Sequence, residues 1–263
     1  MNVIETTTYM QVEAGVEYAS HGKGVVMIGD AGWGKSCAAM ALASEYDATY
    51  ITFSKAQGRM LPALRHICNS LDLTDEGDAA RLFEALVRHA KVGAYANSKM
   101  RMLILDEAQN IDPDLVKDLL DFPLLYLVPV VLCGNPQLLK RTKAGDAGFA
   151  QITSRVSRTI HLKPPTEDDY LAIAREYLVA PDAERACVTY GVNSKSIREL
   201  VFLLSDARGM VRNGELVTLE EIKRAVAVKH GSVDLLKPAT PKPAAKAKAA
   251  KQRKAHDRFA ETP

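Results

Sequence analysis

Aromatic residues are scarce in this 263-residue chain, at 6% of the total with a single tryptophan, Trp33. Cysteine is scarcer still, with four residues. Cys37, Cys68, Cys133 and Cys187 are widely spaced and form no C-x-x-C pair, which excludes a disulfide framework or zinc ribbon and leaves buried free thiols as the expectation. The six histidines form no ligand-spaced cluster, so no structural metal is expected. No run approaches the roughly 18 apolar residues that a membrane helix needs. The start, "MNVIETTTYM", also lacks the basic-then-apolar order of a secretion signal. A cytoplasmic protein without membrane partners is the expectation. Its net charge of +2 conceals an asymmetry: residues 237–263 hold eight Lys or Arg against two acids, which leaves 26 against 30 for the body.

What is present is order along the chain. Short apolar runs, "GVVMIG", "ATYITF", "RMLILD", "VPVVLC" and "RTIHL", have the look of buried strands. Helical patterns separate them: "KSCAAMALASEY", "RMLPALRHICNSL", "AARLFEALVRHA" and "PDLVKDLLDF". Alternation of this kind predicts an α/β fold with a mostly parallel sheet covered on both faces. After "KPPTEDDY" the strand signal stops. Thr166 with Asp169, and Thr218 with Glu221, have capping-box spacing, and Gly191 and Gly209 stand where helices are expected to end. The expected organisation is an N-terminal arm or helix over 1–20, an α/β nucleotide-binding domain over 21–163, a helical lid over 164–233 and a disordered basic tail over 234–263.

Gly29-x-x-x-x-Gly34-Lys35-Ser36, in "GDAGWGKS", fits the phosphate-binding loop, with a strand before it and a helix after it. The chemistry needs backbone N–H groups turned into a tight concavity, which glycine permits. Residues Gly29, Asp30, Ala31, Gly32, Trp33, Gly34, Lys35, Ser36 and Cys37 form the expected nucleotide loop. Lys35 would reach the phosphates and the Ser36 hydroxyl would bind magnesium; Trp33 fills a position the pattern leaves free. About seventy residues on, "MLILDE" brings Asp106 and Glu107 to the carboxyl end of a strand, where ligands sit in open α/β sheets. Asp106 would hold magnesium through water and Glu107 would polarise the attacking water. Asn135, at the end of "VPVVLC", is placed either to orient that water or simply to form a turn. Arg155 and Arg158 precede the last strand, far from their own nucleotide and available to a neighbour's, Arg155 being the better candidate. Lys195 and Arg198, in "NSKSIREL", are candidates to report nucleotide state to the lid, with a solvated helix face as the alternative.

In this order, the motifs over about residues 10 to 233 resemble the AAA+ ATPases. Within them, "VVMIGDAGWGKS", "MLILDEAQNIDPDLVKDLL", "VPVVLCGNPQLLKR" and "FAQITSRVSRTIHL" look most like the B-type target-DNA activators of Mu-like transposing phages and related transposon target-selection ATPases. The resemblance implies a five-stranded sheet in the order 5-1-4-3-2 plus a helical lid, with ATP and magnesium as cofactors. It makes Asn135 the first sensor, Arg155 the finger acting in trans, and Lys195, better than Arg198, the second sensor. It further implies helical filaments of identical subunits on double-stranded DNA, largely without regard to sequence, and a transposase as partner, in a bacterial or phage-infected cell. Only about twenty residues precede the first strand, so DNA contacts are expected from core cations after the second strand, Lys55, Arg59 and Arg65, and from the tail. The alternative is an ATPase of the same fold acting on a protein partner, as helicase loaders and secretion-assembly ATPases do.

Overall fold

The computed structural model describes residues 3–95, 101–140 and 155–238. Five short strands carry its sheet: β1 (Gly24–Ile28), β2 (Thr49–Thr52), β3 (Leu103–Asp106), β4 (Val130–Gly134) and β5 (Arg158–His161). All neighbours are parallel, in the order β2-β3-β4-β1-β5, which from the other edge reads 5-1-4-3-2. Strands β1, β3 and β4 are buried along their whole length. Such strands read as continuous apolar runs because both of their faces are covered.

Alternate residues feed two cores. On one face Val25, Met27, Ile104, Val131 and Cys133 join the apolar sides of α1 (Thr7–Ser20) and α2 (Lys35–Glu45). On the other, Val26, Ile28, Leu103, Leu105 and Leu132 meet α3 (Met60–Ser70), α4 (Ala79–Tyr95), α5 (Pro113–Leu120) and α6 (Phe122–Tyr126). Local chemistry starts these helices. The Thr6 hydroxyl accepts the Tyr9 N–H at the head of α1, and Asp112 accepts the Asp114 N–H at the head of α5, where Pro113 takes the first helical position. A short helix, α7 (Gln137–Lys140), follows β4.

A third apolar cluster is built from α8 (Glu167–Glu176), α9 (Glu184–Ser194), α10 (Ile197–Arg208) and α11 (Leu219–His230). Both expected capping boxes are formed, Thr166 with Asp169 and Thr218 with Glu221. Gly191, however, does not end a helix: it lies inside α9, where the Tyr170 ring would stand 2.5 Å from any Cβ, so close packing rather than termination explains the glycine. The helix stops at Lys195 instead, in the left-handed region at φ 54°. Apolar packing also runs past residue 233, since Leu235 and Leu236 rest on this cluster. Residues 239–263 of the basic tail lie outside the described residues. Asp169 does more than cap: its carboxylate also accepts the Thr7 N–H at 2.7 Å and the Thr7 hydroxyl at 3.2 Å, tying the head of α1 to α8.

Candidate nucleotide-binding site

From the end of β1 the chain curls through Gly29–Gly34 into α2. Gly32 and Gly34 have φ of 83° and 91°, a region that strains any side chain. The curl delivers the first turn of α2, whose N–H groups lack intrahelical acceptors and carry the positive end of the helix dipole. Lys35 lies within it at 8% exposure, its Nζ donating to the Asp30 carbonyl at 2.7 Å. Burial pushes the ammonium below its ordinary range, against the opposing pull of Asp106 and Glu107. Among the described residues this buried cation forms no ion pair, a state suited to an incoming anion. Cys37 is exposed on the same turn. Trp33 folds back on its own chain: its ring lies 3.1 Å from where a Gly29 Cβ would be, with Leu162 equally close, so the indole closes the gap between the loop and the end of β5.

The end of β3 supplies the acids. Asp106 is 1% exposed. Its Oδ1 accepts the Glu107 N–H and its Oδ2 accepts the Tyr50 hydroxyl, both at 2.8 Å. Burial first, then the Asp106 charge and the hydrogen bond to it, raise the Tyr50 pKa. Glu107 leaves the strand at φ 54°. Its Oε2 accepts a hydrogen bond from Gln109 Nε2, and Gln109 Oε1 accepts the Asn135 N–H at 3.2 Å. Gly134 makes room for that bridge, since a Cβ there would sit 2.8 Å from Gln109 Oε1. The Asn135 side chain meanwhile accepts the Gln137 N–H at 2.8 Å, starting α7, so the turn role weighed for it is present alongside its place beside the acids. Gln109 lies in a motif segment but carries no role there in a reading of the sequence, and Tyr50 belongs to no motif; only the register of β2 on β3, with Tyr50 opposite Ile104, brings the phenol along the sheet to Asp106.

The lid lies directly on the loop through α10. The Arg198 N–H donates to the Gly32 carbonyl at 3.1 Å, and the Ser196 Oγ and Arg198 Cβ lie 2.3 and 3.7 Å from the position a Gly32 Cβ would take. Of the two cations in "NSKSIREL", it is therefore Arg198 whose backbone is seated on the loop, while Lys195 closes the preceding helix. Arg155 lies at the other end of the sheet. Its carbonyl is close to Gly24, the first residue of β1, and its Nε pairs with Asp121 Oδ1 at 3.1 Å. The length of β1, roughly 16 Å, separates it from its own loop. The Arg158 guanidinium instead stacks over the Tyr18 ring, 4.3 Å from the centroid. Lys55, Arg59 and Arg65 are exposed on the β2–α3 side. The segment carrying Lys55 and Arg59 is clamped behind the acids: Gly58 carbonyl accepts the Asp112 N–H at 2.7 Å, Asn110 Nδ2 donates to the Phe53 carbonyl at 2.7 Å, and a Gly58 Cβ would collide with the Asn110 carbonyl at 1.8 Å.

A phosphate-type loop on β1, an acid pair on β3, a polar strand end on β4 and this sheet order define the AAA+ P-loop fold. Residues 18–142 match the family model described as an AAA domain. Among solved structures, Cdc6p from Pyrobaculum aerophilum is similar with TM-score 0.60 and 14% identity, over 84% of this chain and 65% of that one. The RuvB Holliday junction branch migration motor of Thermotoga maritima gives 0.51 and 15%, over 84% and 68%. Domain III of the Thermotoga maritima replication initiation protein DnaA gives 0.54 and 16%, over 90% and 95%. This chain thus spans about two thirds of the first two proteins, and at such identities the likeness is one of fold. No curated protein matches the chain by sequence. No helix among the described residues is long and apolar enough to cross a membrane.

Proposed function

We propose that this protein is a magnesium-dependent ATPase that assembles with copies of itself on double-stranded DNA and selects target DNA for a transposase. The observation that carries the ATPase reading is the division of the machinery between two ends of one sheet. Lys35, Ser36, Asp106 and Glu107 converge at the carboxyl end, while Arg155 waits at the amino end, beyond reach of its own loop. A cation so placed completes a site only in a neighbouring subunit, where it would stabilise charge on the transferring phosphoryl group. The residues present fit ATP and magnesium: a buried lysine without an ion pair among the described residues, a curl admitting only glycine at two positions, and a buried carboxylate at the end of the neighbouring acid-bearing strand. ATP with magnesium supplies the phosphoanhydride whose cleavage the site would drive. Lys35 would move from the Asp30 carbonyl to the anion, and Glu107, held by Gln109, would take the proton of the attacking water. Arg198, seated on Gly32, is the residue we assign as second sensor in preference to Lys195.

Two of the similar structures bear names tied to DNA, a replication initiation protein and a Holliday junction motor. The exposed Lys55, Arg59 and Arg65 supply the phosphate contacts such a role needs, and repetition along an assembly multiplies a weak contact per subunit. The transposition role rests on the resemblance of four motif segments to the target-selection ATPases. Electron microscopy of the protein with duplex DNA and either ATP or ADP tests it. Helical filaments formed only with ATP are the expected result; closed rings indifferent to DNA would overturn it and favour an ATPase acting on a protein partner.

A further inference from the structure

Gln109 is buried, at 7% exposure, between Glu107, to which the proposed function gives the attacking water, and the strand end that carries Asn135. It lies in a short 3-10 helix, Ala108–Asn110, directly after the acid pair, and its amide reaches in two directions. Its Nε2 donates to Glu107 Oε2, while its Oε1 accepts the Asn135 N–H at 3.2 Å. Only one orientation of the amide serves both, since the flipped form would set a carbonyl oxygen against a carboxylate and an NH2 against another N–H. Strand β4 is shaped around the same contact. A Cβ on Gly134 would stand 2.8 Å from Gln109 Oε1 and 3.1 Å from Leu138 Cδ2, so a residue without a side chain ends the strand where the amide crosses it.

Glu107 needs such a holder. Its main chain turns away from β3 at φ 54°, and its side chain is only half-buried. A glutamate has several side-chain torsions, and these must be ordered before its carboxylate can take a proton from a water held at one place. We propose that Gln109 is a positioning residue, which pins the Glu107 carboxylate by one oxygen and fixes its separation from the end of β4, so that the base and the strand end bearing Asn135 address the water as one rigid unit. A carboxylate offers about four lone-pair sites, so one bond to Gln109 leaves room for the water's proton.

This inference rests on the loop and acids being an ATPase site, so wild type and Glu107→Gln are measured first. If the wild type does not hydrolyse ATP, or Glu107→Gln turns over as fast, the functional reading fails and takes this inference with it. If the reading holds, Gln109→Met, which keeps the bulk but neither hydrogen bond, is expected to lower kcat about ten- to a hundredfold, the scale for a misplaced catalytic group, with affinity for a fluorescent non-hydrolysable ATP analogue within about twofold of wild type. Gln109→Glu, which keeps an acceptor for the Asn135 N–H and loses only the donor to Glu107, is expected to lower kcat likewise. In the Glu107→Gln background, Gln109→Met is expected to lower the residual rate no further, because Gln109 acts through Glu107 alone. Wild-type kcat in either Gln109 variant overturns the inference. So does an equal loss in both backgrounds, or a loss of analogue affinity that matches the loss of rate, since either would make Gln109 a packing residue only.

Discussion

Two carboxylates are buried among the described residues, and they belong to different halves of the molecule: Asp106 at the loop end of the sheet and Asp169 under the lid. Asp169, 6% exposed, takes three donors outside its own residue, the N–H groups of Thr7 and Thr166 and the Thr7 hydroxyl. Two of those come from a segment 162 positions away in sequence. Asp106 takes two, one from the next residue and one from Tyr50, and sits beside a buried lysine that makes no ion pair among the described residues. A carboxylate has about four lone-pair sites. One acid is therefore largely spent on joining segments, whereas the other keeps capacity in hand next to a buried lysine. Burial alone does not tell these two acids apart; the count and origin of donors does.

The comparison can be pressed hardest through catalysis. Arg155→Ala is expected to lower ATP turnover by about a thousandfold or more, the scale of a finger supplied in trans. Mixing it with Lys35→Ala should restore part of the rate, because each variant then supplies what the other lacks; no recovery would place Arg155 outside the neighbour's site. Asp106→Asn comes next, lowering magnesium-dependent turnover by about 10- to 100-fold, as for a group acting on a metal through water. Its melting temperature should stay within a few degrees of wild type, and a large drop would make Asp106 resemble Asp169. Asp169→Asn is the mirror experiment. It sets an amide donor against one of the N–H groups of Thr7 and Thr166 and should cost about 3 kcal/mol in denaturant unfolding while turnover per folded molecule is preserved. Gly191→Ala stays within the lid, pushing a methyl group into the Tyr170 ring. A loss of about 1–3 kcal/mol is expected, and a neutral result would show that α8 and α9 can separate freely.

Much of the sheet was legible because buried parallel strands and amphipathic helices write their periods into contiguous residues. "VVMI", "LIL" and "VVLC" are each continuous apolar runs, and each lies in a fully buried strand. The capping boxes at Thr166 and Thr218 were legible for the same reason, as both partners lie within one turn. Gly191 was misread because a glycine admitted for close packing has the same letter as one that ends a helix, and only the Tyr170 ring tells them apart. The seat of α10 on Gly32, on which our proposal of Arg198 over Lys195 rests, likewise lies outside any local pattern.

The sequence by itself determined the phosphate-type loop, the acid pair and the order of sheet followed by helices, since each depends on spacing along a short length of backbone. Tertiary structure alone decided that Tyr50 meets Asp106, that Gln109 bridges Glu107 to Asn135, that Trp33 closes over Gly29, and that Asp169 holds α1. A hydrogen bond between distant segments depends on strand register and helix seating, and those are fixed by the burial of the whole core rather than by any local pattern.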